Sequence, residues 1–78
     1  MIRDRIIELL SAALPAVDLG TDFLFGELDS LGVVTIMMIF CQEFDITLEA
    51  TDVTPKNFRS IDALAAMVEN KLKQKSQS

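Results

Sequence analysis

The chain has 78 residues, which is enough for one small domain and too few for a second. Half of its residues are hydrophobic and 24% are charged, so the composition favours a folded domain over a disordered chain. The net charge of -5 repels phosphate backbones, and nucleic acid is therefore not an expected ligand.

The negative charge is concentrated in the middle of the chain. Between Ile6 and Pro55 there are nine acidic residues and no Lys or Arg. A partner would therefore meet a long acidic segment with basic residues on either side of it. We expect such a segment to bind a positively charged protein surface.

Residue types that are absent exclude several kinds of chemistry. The chain has no His and a single cysteine, Cys41, so it cannot form an intramolecular disulfide, a common zinc site or a Ser-His or Cys-His nucleophilic pair. We therefore expect no metal, no catalytic residue and no enzymatic activity of its own. A single cysteine also fits the reducing cytoplasm, which is the expected location.

Membrane insertion is not expected either. The longest nearly apolar run, Leu31 to Cys41, is about half of the roughly 20 residues that are needed to cross a bilayer. The N-terminal stretch carries Asp4 and Glu8 and lacks the continuous apolar run of a signal peptide. The sequence predicts neither a membrane span nor a membrane anchor.

Helical spacing of apolar residues near the N-terminus predicts a first, amphipathic helix. These residues are Ile2, Ile6, Leu9, Leu10, Ala13 and Leu14. Pro15 ends or kinks this helix, and the segment from Ala16 to Asp29 has no sustained period, so it is predicted to be a long loop. Four apolar residues are expected to pin this loop to the core: Phe23, Leu24, Phe25 and Leu28.

The second predicted helix, Leu31 to Phe44, is almost entirely apolar until Gln42 and Glu43. A domain of this size has no interior deep enough to bury such a helix on all sides. Some of its apolar residues must therefore face solvent or a partner. Exposed apolar patches usually mark interaction sites.

The rest of the chain predicts two more helices. Thr54 and Pro55 are typical of a helix start and predict a short third helix from about Pro55 to Phe58, or slightly earlier. Ser60 is predicted to cap the last helix, whose apolar residues show the clearest period in the chain: Ile61, Leu64, Ala65, Val68 and Leu72. The predicted fold is all-α, a small four-helix bundle of three main helices and one short helix, with a long loop between helices one and two.

The junction between the long loop and the second helix is the most informative position. Asp29 and Ser30 stand at a helix N-terminus, where free backbone N–H groups and the helix dipole accommodate an anion such as phosphate. Ser30 is well placed to carry one. The same residues also fit a second interpretation, in which Asp29 or Ser30 simply caps the helix.

Three segments together resemble a known family. They are Phe25-Gly26-Glu27-Leu28-Asp29-Ser30-Leu31, an apolar helix that closes in Glu43-Phe44-Asp45-Ile46, and Phe58-Arg59-Ser60-Ile61. In this arrangement nearly the whole chain resembles the acyl and peptidyl carrier proteins, which include the D-alanine carrier of teichoic acid synthesis.

The resemblance implies a role for each residue of the junction. Ser30 matches the serine that is joined through a phosphodiester to 4′-phosphopantetheine, whose thiol holds the cargo as a thioester. Asp29 matches the acid that helps to place magnesium and the coenzyme A phosphates while a phosphopantetheinyl transferase acts. Because that separate enzyme activates the hydroxyl, the missing His is no obstacle.

The resemblance also implies partners and boundaries. The expected partners are the phosphopantetheinyl transferase, an acyl- or aminoacyl-loading ligase, and a downstream synthase or transferase. The expected carrier domain is a monomer over residues 1–75, followed by a disordered tail at 76–78.

Two departures from the fatty-acid carriers bear on cargo and docking. Gly26 lies four residues before Ser30 rather than three, and Glu43 is the only acid between Leu31 and Phe44. Docking through the second helix is therefore expected to be more apolar and less salt-sensitive than in a typical fatty-acid carrier. The family geometry implies that Leu31, Val34 and Met38 form the exposed docking stripe.

The cargo stays open at this point. Gly26, Leu28, Gly32 and Phe58 look closer to D-alanine and other aminoacyl carriers, but an acyl cargo is equally compatible. The alternative function is a small acidic helical adaptor, which binds a partner through the second helix without a prosthetic group and uses Ser30 only as a cap.

Overall fold

Three α-helices form the framework of the protein. The computed structural model describes residues 2–77, with side chains as far as Lys75. The helices are α1 (Ile2–Ala13), α2 (Ser30–Phe44) and α3 (Ile61–Gln77), and two short 3₁₀ helices lie between them at Leu24–Glu27 and Ala50–Asp52. Residues 2–77 contain no strand, so the predicted all-α fold is confirmed.

The core is built from one apolar face of each α-helix. The fully buried side chains are Ile6 and Leu10 from α1, Ile36 and Phe40 from α2, and Leu64 and Val68 from α3, together with Leu24 and Phe58 from the connecting segments. Both helices are confirmed, and most residues of their predicted periods are buried or partly buried, but Ala13 at the end of α1 is exposed. The core supplies most of the stability of a domain this small, because apolar burial is its dominant favourable term.

The short helix lies on the earlier side of its predicted position, at Ala50–Asp52. Pro55 to Phe58 form a turn rather than a helix, closed by a hydrogen bond of 3.0 Å from the Phe58 N–H to the Thr54 carbonyl. Thr54 does act as a cap, since its hydroxyl accepts from the Asn57 N–H at 3.0 Å. The Asn57 side chain donates to the Asp52 carbonyl at 2.9 Å and ties this turn to the 3₁₀ helix before it.

The long loop before α2 is held at one place by a backbone contact. The Leu24 N–H donates to the Arg59 carbonyl at 2.6 Å, and the Leu24 side chain is fully buried. Phe25 and Leu28 pack partly buried against the core, and the Phe25 ring meets the Phe58 ring edge-on with centroids 6.4 Å apart. Three of the four predicted anchors are therefore confirmed. Phe23 is not an anchor, because 55% of it is exposed.

Ion pairs join elements that are distant in the sequence. Arg5 on α1 pairs with Glu43 at the end of α2, and Arg3 on α1 pairs with Asp62 at the start of α3. Two lysines of α3 contact the segment that follows α2: Lys71 Nζ lies 2.9 Å from Asp52 Oδ2, and Lys75 Nζ lies 2.6 Å from Asp45 Oδ2. Four of the seven basic residues of the sequence thus meet carboxylates.

The last helix begins as predicted, with the Ser60 hydroxyl accepting from the Ala63 N–H at 3.2 Å. Its backbone is described through Gln77, while Ser78 of the predicted tail lies outside the described residues. The boundary of the domain and the disorder of the tail stay predictions. Among the described residues, no helix is long and apolar enough to cross a membrane.

Candidate functional site

Asp29 is the residue that caps α2. Its backbone is extended, with φ -95° and ψ -177°, and its Oδ1 accepts a hydrogen bond from the Gly32 N–H at 2.7 Å. This bond satisfies one of the free N–H groups at the helix start. Of the two residues that the sequence offered as caps, the structure therefore uses Asp29.

Ser30 is the first residue of α2 and is exposed. Because Asp29 supplies the cap, the Ser30 hydroxyl is left without a hydrogen-bond partner among the residues that the structure describes. An accessible hydroxyl that makes no hydrogen bond within the protein can be esterified without loss of an internal contact. The dipole at this helix end also favours a phosphate on that oxygen.

Gly32 leaves space for the Asp29 cap. A Cβ at this position would lie 3.3 Å from Asp29 Oδ1 and 3.3 Å from Leu28 Cδ2, which is tighter than ordinary contact. Gly32 is buried, and its small size lets the Asp29 carboxylate and the Leu28 side chain approach the helix. The sequence had singled out Gly32 only through the family resemblance.

The second helix exposes one apolar face. Leu31, Val34 and Met38 are 72%, 49% and 56% exposed, while Ile36 and Phe40 on the other side are fully buried. We call the exposed three residues the apolar stripe. The expectation that part of this helix faces outward is confirmed.

Thr35 interrupts this apolar helix without leaving a polar group unsatisfied. Its hydroxyl donates to the Leu31 carbonyl at 2.8 Å, one turn earlier in α2. The polar group is therefore satisfied within the helix and does not compete for a partner.

Comparison with known proteins identifies the family of the chain. The chain matches the family described as "Phosphopantetheine attachment site" over residues 2–68, which is most of its length. It belongs to the phosphopantetheine-binding carrier proteins. The cofactor of this family is 4′-phosphopantetheine, and the chain functions as an acyl or aminoacyl carrier through it.

Two similar relatives are both aminoacyl carrier proteins of Bradyrhizobium diazoefficiens. The carrier is 32% identical to aminoacyl carrier protein 1 over 77 residues, which cover 91% of this chain and 86% of that relative. It is 42% identical to aminoacyl carrier protein 2 over 45 residues, which cover 58% of this chain and 51% of that relative. The second match therefore spans about half the length of the relative.

The site of the carrier fits the group that its family bears. A phosphodiester needs a free hydroxyl with open surroundings, and Ser30 offers both. Family membership does not favour the adaptor alternative, in which Ser30 serves only as the cap, and the cap is in fact Asp29. Proteins of this family are in general non-catalytic carriers.

A groove of about 400 Å³ runs along the carrier beside the start of α2. The end of α1 and the turn after it form one wall, and residues on both sides of Ser30 form the other. Glu27 and Asp29 bring two carboxylates to its edge, and Leu31 connects it to the apolar stripe. The surface near Ser30 therefore combines apolar area with negative charge.

The described residues contain no group of three or more His, Cys, Asp or Glu side chains that could hold a metal ion. Cys41 lies half-buried on α2 as a free thiol.

Proposed function

We propose that Ser30 is the residue that carries 4′-phosphopantetheine. The observation that supports this assignment best is the arrangement at the helix start. Asp29 caps α2 by accepting from the Gly32 N–H, and the exposed Ser30 hydroxyl has no hydrogen-bond partner among the described residues. In the attachment step the Ser30 oxygen forms a bond to the phosphorus that bears the pantetheine arm. The bond from that phosphorus to the nucleotide part of coenzyme A breaks, and the hydroxyl proton leaves to a base of the transferase.

Asp29 is proposed to assist in the same step. One of its carboxylate oxygens, Oδ1, is engaged by the Gly32 N–H, and Oδ2 has no hydrogen bond among the described residues. Asp29 is exposed and directly precedes Ser30. A carboxylate oxygen in this place suits magnesium that accompanies coenzyme A in the transferase.

The apolar stripe is proposed as the contact surface for the partner enzymes. These are the phosphopantetheinyl transferase, a ligase that loads the cargo, and a synthase or transferase that removes it. Leu31, Val34 and Met38 start one residue after Ser30 and expose large apolar side chains in a helix with a single acid, Glu43. Burying such a surface favours association and depends little on salt.

An aminoacyl group is the cargo we propose. The support is that both relatives described above bear the name aminoacyl carrier protein. When bound, the phosphopantetheine arm supplies the thiol that forms the thioester, and this chain supplies the attachment oxygen and the docking surface. The protein performs no reaction of its own in this proposal, and the cytoplasm stays its predicted location.

Intact mass spectrometry tests the attachment site. The purified protein is incubated with coenzyme A, magnesium and a broad-specificity phosphopantetheinyl transferase, with Ser30→Ala alongside. We expect the wild type to gain the mass of one arm and the variant to gain nothing while keeping its helical circular dichroism. A mass gain in Ser30→Ala would move the site elsewhere. An unmodified wild type with no arm already present would contradict the proposal.

The cargo needs a separate measurement. The protein is isolated from its native cells in acid, which preserves thioesters, and the mass on the arm is read by fragmentation. An aminoacyl mass supports the proposed cargo, and a fatty acyl mass assigns the protein to the acyl carriers instead. Either result leaves the attachment test unaffected.

A further inference from the structure

A second surface feature lies apart from Ser30 and the apolar stripe. It is a groove of about 520 Å³ between the loop that precedes α2 and the turn that precedes α3. We call it the basic groove, and its lining residues are Asp22, Phe23, Pro55, Lys56 and Arg59. None of the functional roles proposed above uses any of their side chains.

An exposed aromatic ring forms one wall of the basic groove. Phe23 is 55% exposed, and its ring lies against the backbone of Gly26. A Cβ at Gly26 would come within 2.7 Å of the Phe23 Cδ2 atom. The Phe23 ring can therefore occupy this position only because Gly26 has no side chain. Aromatic side chains that are held at the surface in this way are enriched at protein interfaces.

The two walls of the groove are anchored to each other and to the core. The Leu24 N–H donates to the Arg59 carbonyl at 2.6 Å and so joins the two segments that line the groove. Leu24 and Phe58, which adjoin Phe23 and Arg59 in the chain, are fully buried. The groove is therefore preformed, and a ligand would lose little binding energy to ordering of the backbone.

The charge of this groove differs from that of the rest of the protein. Arg3, Arg5, Lys71 and Lys75 each contact a carboxylate. Lys56 and Arg59 are exposed and contact no carboxylate within the described part of the chain. With two cations and one carboxylate, Asp22, the groove has a net charge of +1 in a protein whose net charge is -5.

We propose that the basic groove binds an acidic segment of a partner protein that also bears an aromatic or large apolar side chain. Carboxylates of the segment face Lys56 and Arg59, and its apolar side chain packs on Phe23 and Pro55. A short segment senses the local charge, because the Debye length is only about 8 Å at physiological salt. An anionic membrane surface, in contrast, faces the whole protein and is repelled by its negative charge.

This surface would orient a partner rather than simply hold it. The apolar stripe and the acidic groups near Ser30 suit an apolar surface with positive charge, whereas the basic groove suits negative charge. A partner that contacts both is held in a single orientation, because the reverse orientation opposes like charges. The proposal does not depend on modification of Ser30, so the two can fail separately.

Nuclear magnetic resonance with the ¹⁵N-labelled full chain tests the proposal. The probe is a synthetic hexapeptide of alternating glutamate and tryptophan, and the matched peptide replaces glutamate with lysine. We expect the acidic peptide to shift the amide resonances of residues 22–24 and 56–59, and the lysine peptide to leave them in place. Lys56→Glu and Arg59→Glu should each raise the dissociation constant for the acidic peptide about fivefold.

Lys73→Glu is the matched control, since Lys73 is also exposed and contacts no carboxylate among the described residues. It should change the affinity of the acidic peptide less than about twofold. The proposal would be overturned if all three variants weakened peptide binding equally. It would also be overturned if the amide shifts centred on residues 31–38, or if no shift saturated as peptide was added. Binding to vesicles of phosphatidylserine and phosphatidylcholine that Lys56→Glu abolishes, without peptide binding, would overturn it in favour of a membrane surface.

Discussion

The Gly32 N–H donates to the Asp29 Oδ1 atom at 2.7 Å, and Ser30 lies between these two residues in the sequence. This bond gives Asp29 a structural task at the same place where its charge is proposed to assist modification. Asparagine keeps an oxygen at the Oδ1 position and loses only the charge. The two tasks can therefore be separated by substitution.

Asp29→Ala and Asp29→Asn are expected to differ in stability and agree in modification rate. Alanine removes the cap and should lower the free energy of unfolding by about 1 kcal/mol, whereas asparagine caps as well as aspartate. Both should slow attachment of the arm, because both lack the carboxylate that is proposed to bind the magnesium of the transferase. Urea denaturation followed by circular dichroism measures the first effect, and the initial rate of mass gain measures the second. A normal rate for Asp29→Asn would confine Asp29 to capping.

The regular parts of the fold were predictable because their signals are local. The period of Ile61, Leu64 and Val68 predicts a buried face, and all three residues are buried. Ser60 was recognised as a cap from its position alone, and it accepts from the Ala63 N–H. The exposure of part of α2 followed from the size of the domain, which is too small to enclose an apolar helix.

The contacts that the sequence did not predict are those that depend on distant residues. Phe23 looked like a core anchor, and only the fold shows its ring lying on Gly26 in solvent. Arg5 and Glu43 meet although they are 38 residues apart. The choice between Asp29 and Ser30 as the cap was open because both residue types cap helices well. The backbone dihedral angles that decide it are not visible in the sequence.

Asp52 is expected to contribute more to stability than Asp45, although both pair with a lysine of α3. The Asp52 side chain is 19% exposed and accepts from the Glu49 N–H at 2.9 Å as well as pairing with Lys71, whereas the Asp45 side chain is 90% exposed. Water screens the exposed pair more strongly. Asp52→Asn should therefore lower the free energy of unfolding by about 1 kcal/mol at neutral pH. Asp45→Asn should cost clearly less, since asparagine also tolerates the left-handed backbone at this position, φ 53°.

The effect of Asp52→Asn should depend on pH in a defined direction. The hydrogen bond from the Glu49 N–H, with help from Lys71, lowers the pKa of Asp52 in the folded protein below its ordinary value of 3.8. The stabilisation is therefore complete above the unfolded pKa and is lost as the pH falls through the folded pKa. Urea titrations of the wild type and the variant should differ at pH 7 and converge in acid. A difference that stays constant with pH would show that the charge of Asp52 is not its cause.

Gly26→Ala is expected to act through the Phe23 ring. The backbone of Gly26 is not in the left-handed region, so the added methyl group meets its obstacle in the ring, at 2.7 Å and 2.9 Å from two ring carbons. In the wild-type background the substitution should lower the free energy of unfolding by roughly 1 kcal/mol. In a Phe23→Ala background the cost should vanish, because the ring that clashes is gone. A double-mutant cycle from thermal unfolding measures this coupling, and additive effects would show that Gly26 has a different role.

Val34→Glu is expected to separate docking from folding. Val34 is half exposed on α2, so the change should alter the free energy of unfolding by no more than about 0.5 kcal/mol. It should nevertheless slow modification of Ser30 by the transferase several-fold, because a charge in the apolar stripe must be desolvated when the enzyme docks. Ala66→Glu places the same charge away from the stripe, at an exposed position of α3. Ser30 of this variant should be modified at the wild-type rate.

Salt dependence gives a second readout of the apolar stripe. The initial rate of mass gain for the wild type should change little between about 0.05 M and 0.5 M sodium chloride, because apolar contacts are not screened. A steep fall with salt would show that ion pairs, rather than Leu31, Val34 and Met38, dominate docking. Equal slowing of Val34→Glu and Ala66→Glu would lead to the same conclusion, since it would reflect total charge and not the position of the substitution.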